Sequence, residues 1–331
     1  MSKKAVVMYL KNGQMAVGIY DGAELISEAQ FALEGDHSEE IAAMAEGAEM
    51  LICPGGCLKP LKAGIYALSD AAVNDARDNR YGRADYNLVM EQCGSAAKRL
   101  NVPAYFTEAM SVDELLPLNK IRSHAKVPKY SRGFRAEHLA AARTALAPGR
   151  IEDGNYIIAY VDDLVSVGAY SRGKCLDIND CIGAEGPMGL RSSGDVPCAQ
   201  LANYFAKQPG DYLSLQDELL YRSGLLQYLG TADPAKIDEL CQNDKDGGKV
   251  LDSMAYQIAK WIGSSALVLK GDVQGILFAG KACRSQQLTE RLVKKVERIA
   301  PVTLVPDENI AAWLAEQAML LGSFCAEVQT Y

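Results

Sequence analysis

Two glycine-containing loops of the sequence could bind an anion, one through backbone N–H groups and one through a lysine. The short apolar run 50–53 leads into Pro54-Gly55-Gly56, and a strand that runs into a glycine-rich loop is how α/β folds present backbone N–H groups to a ligand. Lys11 and Gly13 share a predicted turn, where an ammonium group beside a flexible backbone can bind an anion. The competing interpretation of this turn is a plain β-turn with a solvated lysine.

A third turn carries two adjacent carboxylates, Asp162 and Asp163. Paired carboxylates can hold a cation, and a solvated turn is the alternative interpretation. A structural zinc site is not expected, because the nine cysteines show no C-x-x-C spacing and the chain has only three histidines. One of these, His138, lies in an alanine-rich helical pattern, where a lone histidine is typically a structural or surface residue.

Two similar strand patterns, roughly 150 residues apart, position these turns. Each pattern is a strand–turn–strand–turn–strand meander with glycine or aspartate at its turns. The predicted strands are residues 5–10, 15–20, 23–30, 155–161, 164–170 and 175–178. Helical patterns and further short apolar strands follow each meander. The last two predicted elements are a buried strand over residues 302–305 and a helix over residues 310–324.

The repeated pattern predicts an α/β protein of two domains, residues 1–150 and 151–331. Two meander-plus-helix halves favour a duplicated actin-like (ribonuclease H-like) fold, which binds nucleotide in a central cleft and holds its phosphates with the first hairpin of each half. Two unrelated α/β domains are the alternative.

Composition excludes several classes of partner. The net charge is -8 without a basic stripe, which argues against nucleic acid. No stretch of 18 apolar residues occurs, so no membrane span is expected. The first apolar run is too short for a signal peptide and ends in a turn. Together with the irregular set of cysteines, this predicts a cytoplasmic protein with reduced thiols.

The second half of the chain resembles butyrate kinase, a member of the acetate-kinase family. The segments that carry the resemblance are Ser166-Val167-Gly168-Ala169-Tyr170, Asp177-Ile178-Asn179-Asp180, Gly183-Ala184-Glu185-Gly186-Pro187, Ser193-Gly194 and residues 254–260. The first half is similar at fewer positions, which include Tyr20-Asp21-Gly22, Gly55-Gly56 and Gly64-Ile65-Tyr66.

The resemblance implies an acetate/sugar-kinase fold and phosphoryl transfer between ATP and a short carboxylic acid, with ATP and Mg²⁺ as cofactors of an active enzyme. It also implies a small-molecule ligand in the interdomain cleft and a homodimer or larger homo-oligomer. The catalytic residues that it implies are Asn87, Glu108, Arg191 and Ser193. The nucleotide- and phosphate-binding residues that it implies are Lys11, Gly13, Asp162, Asp163, Glu185, Gly186, Gly280, Lys281 and Glu308. It assigns no metal ligands.

The chain departs from the family at both phosphate-binding hairpins. The family's Asn-Pro-Gly-Ser-Thr-Ser-Thr-Lys is Tyr-Leu-Lys-Asn-Gly-Gln-Met-Ala at 9–16, and its His-Leu-Gly-Gly-Gly is Tyr-Val-Asp-Asp-Leu at 160–164. Glycines let a backbone approach phosphates closely, whereas the two aspartates would repel them by roughly 1 kcal/mol or more per close contact. A family arginine and a family histidine are also absent, at Pro54 and Ala84.

Three hypotheses follow from these departures. The first is a butyrate-kinase-like protein with reduced or lost activity that binds a ligand or a partner, including an active kinase relative. The second is a working short-chain carboxylate kinase with a remodelled cleft, which uses Arg191, Lys281, Glu108 and Mg²⁺. The third is a different phosphotransferase or hydrolase on the same fold.

Overall fold

The computed structural model describes residues 4–122, 124–207, 210–243, 245–323 and 325–331. These residues form two compact units. Unit 1 runs to Asp113 and resumes at Asn309, and unit 2 is Glu114–Glu308.

The strands alternate with helices along most of the chain. The strands are β1 Lys4–Lys11, β2 Gln14–Asp21, β3 Glu24–Phe31, β4 Met50–Pro54, β5 Ile65–Ala67, β6 Ala104–Thr107, β7 Asn155–Val161, β8 Val165–Ser171, β9 Lys174–Ile178, β10 Gly275–Ala279, β11 Val302–Val305 and β12 Val328–Gln329. The helices are α1 Ser38–Met44, α2 Asp70–Arg77, α3 Asp85–Leu100, α4 Arg135–Ala145, α5 Arg150–Asp153, α6 Cys198–Phe205, α7 Tyr212–Tyr221, α8 Gly224–Leu229, α9 Pro234–Asn243, α10 Lys245–Val268, α11 Gln286–Val296 and α12 Ile310–Gly322. Short 3₁₀ turns lie at Pro117–Lys120, Cys181–Gly183 and Lys281–Arg284.

Both units are built on the same strand order. Unit 1 has the order β6-β4-β1-β2-β3, extended at one edge by β5 and β12, and unit 2 has the order β11-β10-β7-β8-β9. In each unit the first three strands form an antiparallel meander, and the next strands run parallel to the first. The pairing between the second and third strands also shifts its register at equivalent places, between Ile19 and Tyr20 in unit 1 and between Ala169 and Tyr170 in unit 2. The predicted duplicated α/β fold is therefore confirmed.

The sheet of unit 2 is covered by helices on both faces. Ile157, Ala159 and Val161 of β7 pack in one apolar core with residues of α10 and α11, whereas Ile158, which points to the other face, packs near α4. A strand that is buried on both faces reads as a continuous apolar run, as β7 does.

Two elements near the end of the chain differ from the sequence prediction. The strand predicted to be buried over residues 302–305 is β11, an edge strand whose Thr303 and Leu304 are exposed. The predicted final helix ends at Gly322, and Phe324 lies outside the described residues.

The two units divide the chain at places other than residue 150. The segment after Asn309 belongs to unit 1, because α12 packs on β1 and β4 and because β12 pairs with β5. Residues 114–150, which include α4, belong to unit 2, where α4 packs against β7 and β10.

Candidate functional site

Five of the seven predicted phosphate-binding residues of unit 2 meet at one edge of its sheet. β7, β10 and β11 are parallel, so their carboxyl ends lie side by side, where open α/β sheets bind ligands. Asp162 and Asp163 follow β7, Gly280 and Lys281 follow β10, and Glu308 comes three residues after the end of β11.

The β7–β8 turn uses its own backbone donors. The Asp162 N–H donates to the Leu164 carbonyl oxygen (3.0 Å), and the Asp163 N–H donates to Oδ1 of Asp162 (2.7 Å). The Asp163 carbonyl in turn accepts the N–H groups of Arg191 and Ser192 at 3.1 and 3.0 Å. The turn is therefore held by the chain itself, and a carboxylate takes an amide that an external anion would need.

The Lys281 ammonium lies between the two aspartates. Its Nζ is 2.9 Å from Oδ1 of Asp162 and 2.7 Å from Oδ1 of Asp163. Arg191 also contacts this aspartate, with its Nε 3.4 Å from Asp163 Oδ1. Each partner of the Lys281 pairs exposes between 23% and 29% of its side chain, so these pairs are only partly screened by water.

The charges of this cluster perturb one another. Burial raises the pKa of the Asp162 carboxyl, which Lys281 partly opposes and Asp163 reinforces. Burial alone would lower the pKa of Lys281, but the attraction of Asp162 and Asp163 outweighs it and raises that pKa. Lys281 therefore stays protonated, as a cation neutralised by this chain's own carboxylates.

Glycine is required at position 280. Its φ is +92°, and a Cβ there would lie 2.5 Å from the carbonyl oxygen of Val161 at the end of β7. Gly280 thus lets the loop after β10 pass close to the β7 backbone, which brings Lys281 to the aspartates.

Glu308 is a half-buried carboxyl at the same edge. Burial first, then the negative charges of Asp162 and Asp307, raise the pKa of Glu308 to about 7, whereas Arg284 partly opposes the shift. Glu308 therefore changes its charge near neutral pH.

Glu185 and Gly186 lie in a second cluster of unit 2, in which Glu185 is surrounded by cations. Its carboxylate contacts Arg122 (2.9 Å) and Lys129 (2.8 Å) and accepts the Asp180 N–H (2.7 Å). Burial raises the pKa of Glu185, but these partners, Lys129 foremost, outweigh burial and hold the pKa below its usual range. The contacts tie the carboxylate to neighbouring loops.

Asn179 anchors the same loop to β8. Its side chain accepts the Val167 N–H (2.7 Å) and donates to the carbonyls of Val165 and Glu185 at 2.9 and 2.7 Å. Gly186 has a φ of +123°, and a Cβ there would lie 2.4 Å from Asn179 Nδ2. The segments Asp177–Asp180 and Gly183–Pro187 are therefore packed together and held against β8 by Asn179.

Ser193 is placed by backbone contacts in unit 2. Its N–H donates to the carbonyl of Leu219 (2.7 Å), and its hydroxyl donates to the carbonyl of Gly194 (3.0 Å). Arg191, another of the predicted catalytic residues, joins the Asp162–Lys281 cluster through its side chain.

In unit 1, Lys11 is the last residue of β1, and Asn12 and Gly13 form the tight turn to β2 with φ of +53° and +75°. Lys11 Nζ lies 2.6 Å from Glu28 Oε1, and the Tyr9 hydroxyl donates to the same oxygen at 2.9 Å. The hydrogen bond from Lys11 lowers the pKa of Glu28. The Lys11 ammonium is thus engaged with the neighbouring strand β3.

The glycine-rich loop after β4 is held internally. The Gly55 N–H donates to the Thr107 carbonyl (2.9 Å), and the Cys57 N–H donates to Oδ1 of Asn87 (2.8 Å). The Asn87 amide nitrogen donates to Asn79 Oδ1 and to the Gly82 carbonyl at 2.9 and 2.8 Å. Asn87 is buried, and its hydrogen bonds fasten two loops of unit 1.

Glu108 is buried at the end of β6 with a left-handed φ of +44°. Its Oε1 accepts the Gly64 N–H at 3.0 Å. A non-glycine residue in this conformation costs about 1 kcal/mol or more, and such strain often occurs at functional sites.

His138 is a fully buried residue of unit 2. Its Nε2 lies 2.7 Å from the Ser166 hydroxyl, and its Nδ1 lies 3.0 Å from the Tyr170 hydroxyl. Burial lowers the pKa of His138 to about 3, so the imidazole is neutral at physiological pH. Its contacts are those of a structural histidine that joins α4 to β8.

Sequence reasoning missed the residues that hold the predicted ones in place. Lys129 and Arg122 around Glu185 belong to a basic stretch at 120–132, which was the available signal. Gly64, whose N–H donates to Glu108, stands in a segment that carries the resemblance, whereas Gln329 gave no sequence signal. None of the helices within the described part of the chain is long and apolar enough to cross a lipid bilayer.

Comparison with known proteins gives consistent matches. A family model described as "Acetokinase family" matches residues 126–321. A "Probable butyrate kinase" of Coprothermobacter proteolyticus is 28% identical over 312 residues, which cover 92% of this chain and 87% of that protein. A "Probable butyrate kinase" of Oceanobacillus iheyensis is 31% identical over 260 residues, 77% of this chain and 72% of that protein.

Solved structures of low identity share the fold. Acetate kinase from Entamoeba histolytica superposes with a TM-score of 0.78 at 10% identity, covering 96% of this chain and 99% of that one. Acetate kinase from Porphyromonas gingivalis superposes with a TM-score of 0.74 at 13% identity, covering 97% and 100%.

Proposed function

The chain belongs to the acetokinase family, and from that premise we propose that it is a butyrate-kinase-like protein whose carboxylate-kinase activity is reduced or lost and which acts by binding a ligand or a protein partner. Kinases of this family use ATP and Mg²⁺. The proposal therefore concerns how far the phosphate-binding edge of unit 2 has kept that capacity.

One observation carries the proposal: the chain's own carboxylates occupy the donors of the β7–β8 turn and of Lys281. Asp162 Oδ1 accepts the Asp163 N–H at 2.7 Å and lies 2.9 Å from Lys281 Nζ. A triphosphate at this turn would have to displace both contacts and approach two carboxylates. Like charges about 4 Å apart repel by about 4 kcal/mol at an effective dielectric constant of 20. The residues present do not fit a nucleotide phosphate at this turn.

The retained parts of the structure support a role in binding. Asn179 and Gly186 still join β8 to the following loop, and Gly280 still passes close to β7. Gly280 preserves the shape of the edge, and Asn179 and Gly186 preserve that of the second cluster, whereas the β7–β8 turn departs from the family in its chemistry.

A working short-chain carboxylate kinase is the second candidate, and Lys281 and Arg191 favour it. Both cations lie at the carboxyl ends of the parallel strands, so a rearranged β7–β8 turn would free them for a phosphate.

Activity separates the two candidates. We expect the purified protein, given Mg·ATP with butyrate, isobutyrate, acetate or propionate, to form no acyl phosphate that hydroxylamine can trap. Turnover in the ordinary range of about 1–10³ s⁻¹ would refute the proposal and establish the kinase.

A glycine replacement tests the physical reason. The double change Asp162→Gly and Asp163→Gly removes both carboxylates from the turn, and Asp21→Gly, at a hairpin turn of unit 1, is the matched control. We expect millimolar ATP or ADP to raise the melting temperature of the double variant and to leave the wild type and the control unchanged. Equal stabilisation of all three proteins would show that the aspartates do not exclude nucleotide.

Oligomerisation and location are further proposals that derive from the resemblance. We expect a homodimer or a larger homo-oligomer, which sedimentation equilibrium measures directly, and a cytoplasmic location, which fractionation of the native cells tests.

A further inference from the structure

The last strand of the chain lies beside the loop that holds Glu108. β12 pairs in parallel with β5, with Val328 opposite Ile65 and Gln329 opposite Tyr66. The residue just before β5 is Gly64, so β12 reaches the place where this loop enters the sheet of unit 1.

Gly64 and Glu108 contact each other twice. The Gly64 N–H donates to Glu108 Oε1 at 3.0 Å, and the Glu108 N–H donates to the Gly64 carbonyl oxygen at 3.4 Å. The Thr107 hydroxyl donates to the same carbonyl at 3.4 Å. The position of the Gly64 peptide thus fixes the orientation of the Glu108 carboxylate.

Gln329 fixes the Gly64 peptide from the other side. Its Nε2 donates to the Ala63 carbonyl oxygen at 2.9 Å. A Cβ at Gly64 would lie 2.4 Å from that nitrogen, and Gly64 has a φ of +128°, which side-chain-bearing residues rarely adopt. The amide of Gln329 therefore packs against Gly64 and restricts a loop whose glycine would otherwise let the backbone change conformation.

Tyr331 anchors this end of the chain. Its hydroxyl donates to Asp75 Oδ2 at 2.7 Å, and the Lys59 ammonium lies 4.1 Å from the centre of its ring. The ring also meets Phe106 edge-on, with centroids 6.3 Å apart. Because Tyr331 is held two residues after Gln329 and Val328 pairs with β5, Gln329 is pre-positioned for the Ala63 carbonyl.

We propose that Gln329 is a positioning residue for Glu108, acting through the Ala63-Gly64 peptide, and that β12 is the strap that keeps this carboxylate oriented toward its ligand. The ligand role of Glu108 rests on the proposed function, whereas its positioning does not. Ordering a backbone costs conformational entropy, and β12 meets this cost before any ligand binds.

Amide hydrogen exchange at Gly64, followed by NMR on the full-length protein, tests the proposal. Gln329→Ala removes the donor, and Gln329→Glu keeps the shape but presents an acceptor to the Ala63 carbonyl. We expect both variants to speed Gly64 exchange by about fivefold to tenfold, the effect of one hydrogen bond. The amides of β1 and β4 should keep their protection, and Thr330→Ala, an exposed neighbour, is the matched control.

A double-variant cycle separates positioning from a general loss of stability. In Glu108→Ala the Gly64 N–H has lost its acceptor, so adding Gln329→Ala should speed its exchange little further. Unchanged Gly64 protection in both Gln329 variants, or an equal loss of protection throughout β1 and β4, would overturn the proposal. Failure of the proposed function would appear instead as acyl-phosphate formation by the wild type, and it would leave the exchange at Gly64 as expected.

Discussion

Replacing Lys281 with methionine removes the cation between Asp162 and Asp163 but keeps the length of the side chain. Two unit charges about 4 Å apart attract by about 4 kcal/mol at an effective dielectric constant of 20, and desolvation of the ammonium offsets part of this. Breaking a fully buried ion pair costs about 3–5 kcal/mol. Because these side chains are roughly a quarter exposed, we expect Lys281→Met to lower the free energy of unfolding of unit 2 by about 2 kcal/mol at pH 8.

The loss should depend on pH. Burial raises the pKa of Asp162, and removing Lys281 removes a charge that opposes this rise. The folded variant therefore binds a proton more readily than its unfolded chain, so stability is recovered at low pH and lost as the pH rises through the folded pKa. We expect a smaller loss at pH 5 than at pH 8.

Tryptophan fluorescence can follow unit 2 alone. The chain has two tryptophans, Trp261 in unit 2 and Trp313 in unit 1, so a Trp313→Phe background leaves a reporter in unit 2 only. Urea denaturation of this background with and without Lys281→Met gives the difference. Lys249→Met, which breaks the exposed pair with Asp246 in unit 2, is the control and should change little. An unchanged midpoint at pH 8, or equal losses at both pH values, would refute the reasoning.

Three further changes test other parts of the site. Glu308→Gln should abolish a loss of stability of roughly 2 kcal/mol between pH 4.5 and pH 7, because a carboxyl whose pKa is raised to about 7 stabilises the fold while protonated and loses this effect as the pH rises; urea titration at several pH values measures it. Gly280→Ala should destabilise by about 2–4 kcal/mol, because its Cβ meets the Val161 carbonyl at 2.5 Å; thermal denaturation that shows no change would contradict this. Asn87→Ala should cost about 2–3 kcal/mol by leaving the Cys57 N–H without its acceptor, and calorimetry checks it.

Much of the fold was readable from local pattern. The meanders were predicted to within one residue at every strand end, because their turns carry glycine or aspartate and their strands are apolar. Short elements escaped, since β5 has three residues and β12 has two and both depend on pairing with distant strands. Helix α11 also escaped, although Ser285 caps its start by accepting the Leu288 N–H. Its apolar residues recur at Leu288, Leu292 and Val296 among charged ones.

The resemblance grouped the residues of the Asp162–Lys281 cluster, but it did not predict their bonding, and their phosphate-binding role stays a prediction. Asp162, Asp163 and Lys281 were identified from a resemblance, and the parallel strands bring them to one edge. Whether the aspartates face solvent, hold a cation or bind the chain itself depends on side-chain geometry over 118 residues of separation. The sequence contains no local signal for these contacts. Lys281 meets the aspartates only because Gly280 lets the loop after β10 pass close to β7.

The ion cluster around Lys281 also determines how unit 2 meets charged molecules at a distance. The two carboxylates are balanced by Lys281 and Arg191 together, so the cluster projects little net field beyond a Debye length, about 8 Å at physiological ionic strength. A polyanion diffusing toward this edge is therefore not guided to it. The cluster therefore adds little salt dependence of its own to the rate of encounter, and any discrimination at this edge must arise after contact.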